Sequence, residues 1–157
     1  MSSPQFTYYQ NGQVESEMWC QNGKLHRDNN LPAVVEYGTN GKVTKKEYWV
    51  NGQLHRINGP AEIWYYGNGQ IAREHYWQYG KLHRINGPAK IWYWNHGQVQ
   101  KEEYWESGML HRDDDPAQIL YNKNAQPWKE SYYQNGNYCL TEIKPIPKNR
   151  KGLYLVR

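Results

Sequence analysis

Four His-Arg pairs, His26-Arg27, His55-Arg56, His83-Arg84 and His111-Arg112, are the side chains best suited to chemistry in this 157-residue chain. They recur at steps of 29, 28 and 28 residues. Imidazoles suggest metal binding or proton transfer, and guanidiniums suggest forks for phosphate or carboxylate. A shared metal is excluded by spacing. Two strands per repeat, at about 4.8 Å each, put equivalent histidines roughly 10 Å apart, too far for ligands that each lie about 2.0–2.1 Å from one ion. Catalysis is disfavoured too, because an active site is one asymmetric constellation and the same groups appear here four times. We therefore expect no catalytic residue, no metal and no cofactor. The expected role of His-Arg is to close turns by bonding loop carbonyls and stacking on aromatic rings. The competing expectation is a row of anion-binding guanidiniums. Asp28 and Asp113 follow the outer pairs, whereas Ile57 and Ile85 follow the central ones. Only the central arginines lack a neighbouring carboxylate, and the same repeats carry extra rings. If a ligand or partner site exists, it is expected at Arg56, Arg84, His55, His83, Trp64, Trp92, Trp94 and Tyr66.

The elements that must position these groups repeat with them. Glycines recur at Gly23, Gly52, Gly80, Gly108 and Gly136, and Pro-Ala follows each pair at Pro32, Pro60, Pro88 and Pro116. Such self-similarity marks a repeat architecture. After Pro-Ala, segments such as Ala61–Tyr66 and Ala89–Trp94 alternate with period two, and Gly-centred turns lead into second strands over Gln70–Trp77 and Gln98–Trp105. No sustained helical period occurs. The fold expected is all-β: an elongated, twisted antiparallel meander of β-hairpin repeats, an open sheet of about ten strands. Ala33/Val35/Tyr37 and their equivalents should line one face. The Tyr48-Trp49, Tyr76-Trp77 and Tyr104-Trp105 pairs should stack as ladders from repeat to repeat. Glu17, Glu74, Glu102 and Glu130, with Lys46 in the same slot, should be cross-strand partners, and Asp113-Asp114-Asp115 a polar turn without the later ligands of a calcium loop.

The cycle Tyr-Trp-x-Asn-Gly-x-Leu-His-Arg-x-Asn-Gly-Pro-Ala, as in Tyr48–Ala61, resembles the MORN-type β-hairpin repeats and their bacterial, phage and giant-virus variants. The resemblance spans roughly Tyr8 to Tyr138. MORN repeats are shorter and usually place Gly after His, where this chain has Arg, so it resembles a divergent 28-residue branch. The resemblance implies consecutive hairpins in a twisted sheet, and scaffolding, dimerisation or binding to proteins and lipids in place of one activity.

Composition bounds the rest. Leu, Ile, Val and Phe make up only about 16% of the chain, which would suggest disorder were it not for 15 Tyr and 8 Trp. No apolar run approaches the ~18 residues of a membrane span, and Met1–Gln5 lacks signal-peptide character. With Cys20 and Cys139 near opposite ends, free thiols and a cytoplasmic location are expected, in a host cytoplasm if the chain is viral. The net charge of +4 is unevenly placed. Residues 1–143 hold 14 basic and 15 acidic residues, while residues 144–157 carry five cations. The division expected is a repeat domain over 1–143 and a basic capping segment or tail over 144–157. A uniformly basic, sequence-specific nucleic-acid binder is disfavoured. The function expected is a non-enzymatic binding or scaffold protein engaging a protein partner, itself included. One alternative is a binder that sequesters a nucleotide or other phosphorylated ligand, as a phage or viral antagonist of a host signal; another is peripheral attachment to anionic lipid.

Overall fold

The computed structural model describes residues 3–139. The expected cap and basic tail at 144–157 lie outside them. Ten strands form one antiparallel sheet in which every strand neighbours the next long one in sequence. They are β1 (Gln5–Tyr8), β2 (Val14–Met18), β5 (Val34–Tyr37), β6 (Val43–Glu47), β9 (Glu62–Tyr65), β10 (Ile71–His75), β13 (Lys90–Tyr93), β14 (Val99–Glu103), β17 (Gln118–Tyr121) and β18 (Pro127–Ser131). Between them sit five short hairpins: β3 (Cys20–Gln21) with β4 (Lys24–Leu25), β7 (Trp49–Val50) with β8 (Gln53–Leu54), β11 (Trp77–Gln78) with β12 (Lys81–Leu82), β15 (Trp105–Glu106) with β16 (Met109–Leu110), and β19 (Tyr133–Gln134) with β20 (Asn137–Tyr138). The all-β hairpin meander is thus the observed architecture.

The second strand of each repeat is shorter than its pattern predicts. It does not run on to Trp77 or Trp105 but turns a corner at the preceding Tyr. Tyr76 donates its N–H to the Ala89 carbonyl across the sheet (2.7 Å), while its own carbonyl accepts from His83 N in the short hairpin (3.1 Å). Tyr48 and Tyr104 make the same division, with His55 and His111 as donors. One residue therefore joins two ladders. The short hairpins turn through pairs such as Asn51-Gly52 and Ser107-Gly108, both residues at positive φ, the geometry that matches strand twist. Tyr79 occupies the Asn slot at φ 49°, a region bulky residues rarely enter.

Each long hairpin also carries a bulge where one residue is skipped in the register, at Glu15, Thr44, Ala72, Gln100 and Trp128. Its recurrence in every repeat gives every hairpin the same local twist.

The pleat sorts side chains onto two faces. Ala33, Ala61, Ala89 and Ala117 are fully buried (0% exposed), and Val35, Ile63, Ile91 and Ile119 are buried on the same face. The second face buries Val34, Glu47, Glu62, His75, Glu103 and Ser131 instead. Cys20 and Cys139, both free, belong to the first and last short hairpins. About eight strand spacings separate those hairpins, on the order of 40 Å, far beyond the reach of a disulfide.

Candidate functional site

The His-Arg pairs lie just past the short hairpins and bind successive repeats together. The backbone N–H of Arg56 donates to the Trp77 carbonyl of the next short hairpin (3.1 Å), and Arg84 N to that of Trp105 (3.4 Å). Each imidazole then caps the following turn through Nδ1. His26, His55, His83 and His111 accept from Asn51 N (3.0 Å), Tyr79 N (3.2 Å), Ser107 N (3.3 Å) and Asn135 N (3.3 Å). The guanidiniums of Arg56, Arg84 and Arg112 lie 3.7, 3.8 and 3.9 Å over the rings of Tyr48, Tyr76 and Tyr104, and Arg27 lies 3.9 Å over Trp19. Every one of them donates to the carbonyl of its own repeat's proline. The expected aromatic ladders are thus interleaved with cations: the close stacking partner of each corner tyrosine is a guanidinium.

The four copies differ in how the remaining donors are met. Arg27 reaches Glu17 (3.3 Å) and Arg112 reaches Asp115 (3.0 Å), whereas Arg56 uses the neutral Asn30 side chain (2.8 Å). Arg84 has only the Pro88 carbonyl among the described residues. Both central arginines fold back over a glycine, since a Cβ at Gly59 or Gly87 would meet the guanidinium at 3.1 Å. Open grooves lie between consecutive turns. One of about 610 Å³ is lined by His83, Arg84, Tyr104, Trp105, His111 and Arg112 among others, and one of about 500 Å³ by Arg56, Ile57, Tyr76, His83, Arg84 and Ile85 among others. Along the same edge Ile57, Tyr79 and Ile85 are 73%, 68% and 71% exposed.

The remaining predicted residues lie elsewhere. Trp64 and Trp92 project from the second face of the sheet, on the side opposite Ile63 and Ile91. They do not join Arg56 and Arg84 in one site. Tyr66 is a tether: its hydroxyl donates to the Tyr93 carbonyl (2.6 Å), as Tyr9 does to Tyr37 one pair of repeats earlier (2.7 Å). Trp94 fills the same slot in the next repeat, and its buried Nε1 has no hydrogen-bond partner among the described residues.

On the Ala/Ile face, Glu17, Glu74 and Glu102 accept the hydroxyls of Tyr37 (3.4 Å), Tyr93 (2.7 Å) and Tyr121 (2.8 Å). Burial, then the hydrogen bond to Glu74 and its charge, push the Tyr93 phenol well above its ordinary range. Tyr121 is raised in the same way by burial and Glu102.

The second face holds a constellation that pattern reading missed. Glu47 and Glu103 each accept an indole N–H from the tryptophan two residues on, Trp49 (2.9 Å) and Trp105 (3.0 Å). Burial alone would raise the Glu103 carboxyl, but Lys101, the Trp105 indole and Gln118 hold it below the ordinary carboxylate range. In the middle repeat this slot is His75. Glu62, directly across the strand pair, supplies the missing carboxylate to Trp77 (2.6 Å) and also meets His75 Nδ1 (3.3 Å). His75 sits edge-on to Trp64 (4.7 Å) and Trp92 (5.5 Å), and its buried Nε2 has no hydrogen-bond partner among the described residues. The next row outward runs Glu36, Lys45, Trp64, Arg73, Trp92, Lys101, Leu120, Lys129 across consecutive strands, its cations separated by two indoles and a leucine. The detectable signal was departure from the repeat, with His75 where other copies have Glu47 and Glu103, and Trp128 where they have Ala72 and Gln100. Among the described residues, no three His, Cys, Asp or Glu gather as a metal site, and no helix is long and apolar enough to cross a membrane. No family model, no curated protein and no solved structure matches the chain.

Proposed function

We propose that the chain is a non-enzymatic binding module, a divergent MORN-type repeat platform working in the cytoplasm, whose turn edge engages a protein partner or a second copy of itself. The observation that carries this reading is the exposed trio Ile57, Tyr79 and Ile85. The outer copies place Asp28 and Asp113 in the isoleucine slot, and Asn22, Asn51, Ser107 and Asn135 occupy the Tyr79 slot. Apolar side chains held out in water at the middle of the edge, more exposed than Leu31, Met109 and Tyr138 in the flanking turns and hairpins, form a patch of the kind that marks an interface. Tyr79 also retains an unfavourable backbone conformation and stacks on His55 at 4.3 Å, which presents its ring as a rigid anchor. Light scattering of the purified chain, and stoichiometric co-purification from its own cells, test this. Ile57→Asp with Ile85→Asp should abolish the complex while leaving the melting temperature nearly unchanged. A monomer with no partner, or a complex indifferent to both substitutions, would sink the reading.

A second reading, a phosphorylated small ligand at the turns, is favoured by one observation: among the described residues Arg56 and Arg84 make no salt bridge, and the Arg84 guanidinium donates only to the Pro88 carbonyl. It predicts nucleotide binding that Arg84→Ala removes. Lipid attachment would depend on residues 144–157.

A further inference from the structure

We infer that the second face of the sheet carries a binding site for a nucleotide unit, a planar base joined to phosphate, independent of the turn edge. The site is a cleft of about 320 Å³ between the fourth and fifth long hairpins, toward their bulged ends, lined by Trp92, Trp94, Gln100, Lys101, Leu120 and Trp128 among others. That volume is at the small end of ligand pockets.

Three features point to this ligand class. First, rings: three indoles border one small cleft, and Trp128 is 62% exposed in a slot that holds Ala72 and Gln100 in the two preceding repeats. A flat base gains stacking area from such walls regardless of its sequence identity. Second, charge: Arg73 stands directly across from Trp92 on one side and Lys101 on the other, with Lys129 beyond Leu120. The Lys101 ammonium lies 4.8 Å from the Trp92 ring and 2.7 Å from Glu103, and Lys90 lies 5.9 Å from the same ring. Arg73 and Lys129 make no salt bridge among the described residues and are exposed. Glu103 pairs with Lys101, which leaves Arg73 and Lys129 as the exposed cations flanking the cleft. Third, a departure from the repeat: the tyrosines equivalent to Trp94 stitch neighbouring repeats through their hydroxyls, whereas the Trp94 ring lines the cleft and its buried N–H has no partner among the described residues. Stacking rings interleaved with cations that track phosphate are the two parts of a nucleotide platform.

The row extends past the cleft to Trp64, about 10 Å and two strands from Trp92, and to Lys45 one strand further on. A base–phosphate unit within a single strand can therefore use more of the face than a free nucleotide can.

Calorimetric titration of the full chain in phosphate-free buffer, with ATP, a short oligo-dT strand and inorganic phosphate, tests the proposal. Saturable binding of ATP or oligo-dT is expected, weakened about tenfold or more by Trp128→Ala and by Arg73→Glu with Lys129→Glu. These side chains are exposed, so an unchanged melting temperature will show that the variants fold. Tighter oligo-dT binding that falls steeply with salt would identify the single strand as the ligand; equal affinities would identify the free nucleotide. Failure of both to bind at millimolar concentration, binding of inorganic phosphate just as tightly, or loss through Arg84→Ala in place of Trp128→Ala would each overturn the proposal. The last outcome would also separate this site from the turn groove.

Discussion

The turn edge and the second sheet face are made by the same 28-residue repeat, yet they treat their charged groups in opposite ways. At the edge, repetition consumes function. Four imidazoles recur because each caps the turn of the next short hairpin, and four guanidiniums because each holds its own repeat's proline carbonyl, with side-chain partners added at Arg27, Arg56 and Arg112. On the second face the proposed site draws on places where repetition fails: His75, Trp94 and Trp128 each depart from the residues in the equivalent slots, beside a cation slot that Lys45, Arg73, Lys101 and Lys129 keep. In a repeat protein, recurrence reports the nearest-neighbour interfaces on which stability depends. Departures from it report what is not needed for stacking.

The largest expected effect breaks the second face. Glu62→Ala leaves the Trp77 indole and His75 Nδ1 without their shared acceptor, in a buried place. A loss of about 2–3 kcal/mol is expected, read as a lower urea midpoint at unchanged slope. At the edge a single copy should matter less. His83→Ala removes the acceptor for Ser107 N–H, and about 1 kcal/mol should be lost. Equal costs for these two variants would contradict the contrast between a repeated staple and a unique buried pair.

The Ala/Ile face supplies a pH test. Folding holds the phenols of Tyr93 and Tyr121 above the ordinary value of 10.0, chiefly through burial and then through Glu74 and Glu102. The unfolded chain therefore loses these protons first. Stability is fully present below about pH 10 and declines as pH rises through the folded values. Melting curves should show this alkaline decline, and Tyr93→Phe with Tyr121→Phe should flatten it. An unchanged alkaline limb in that double variant would refute the assignment.

The smallest effect separates stability from binding at the edge. Tyr79→Asn places at φ 49° a residue that tolerates this region, at the cost of stacking on His55. Stability should hold or rise by less than about 1 kcal/mol, while partner binding falls. A marked drop in melting temperature would make Tyr79 a structural residue and remove it from the proposed interface.

Much of the fold was legible in the sequence. The 28-residue period, the alternating Ala-x-Ile-x-Tyr segments and the Gly-centred turns lead directly to an antiparallel hairpin meander. The corner at Tyr76 was not legible. An alternating pattern continues through it, and only the direction of one carbonyl, toward His83 N and away from the sheet, divides the strand in two. The candidate site was legible by halves. Among the described residues salt bridges form at Arg27 and Arg112 and not at Arg56 or Arg84, but through Glu17 and Asp115, while the neighbouring Asp28 and Asp113 pair with His26 and His111. The grouping of Arg56 and Arg84 with Trp64 and Trp92 did not survive, because neighbours in a repeat alternate between opposite faces of one sheet.

Charge shows the same division. The sequence by itself determined that residues 1–143 are almost neutral, because composition is a sum and needs no geometry. Only the tertiary structure decided how that near-zero sum is distributed. Glu74, Glu102 and Glu130 alternate to one face with Tyr and Ile, while Lys45, Arg73, Lys101 and Lys129 line up across consecutive strands on the other. Register is set by hydrogen-bonded pairing between strands distant in sequence, and it gives a nearly neutral chain a tryptophan-rich side on which a row of cations runs beside buried Glu47, Glu62 and Glu103.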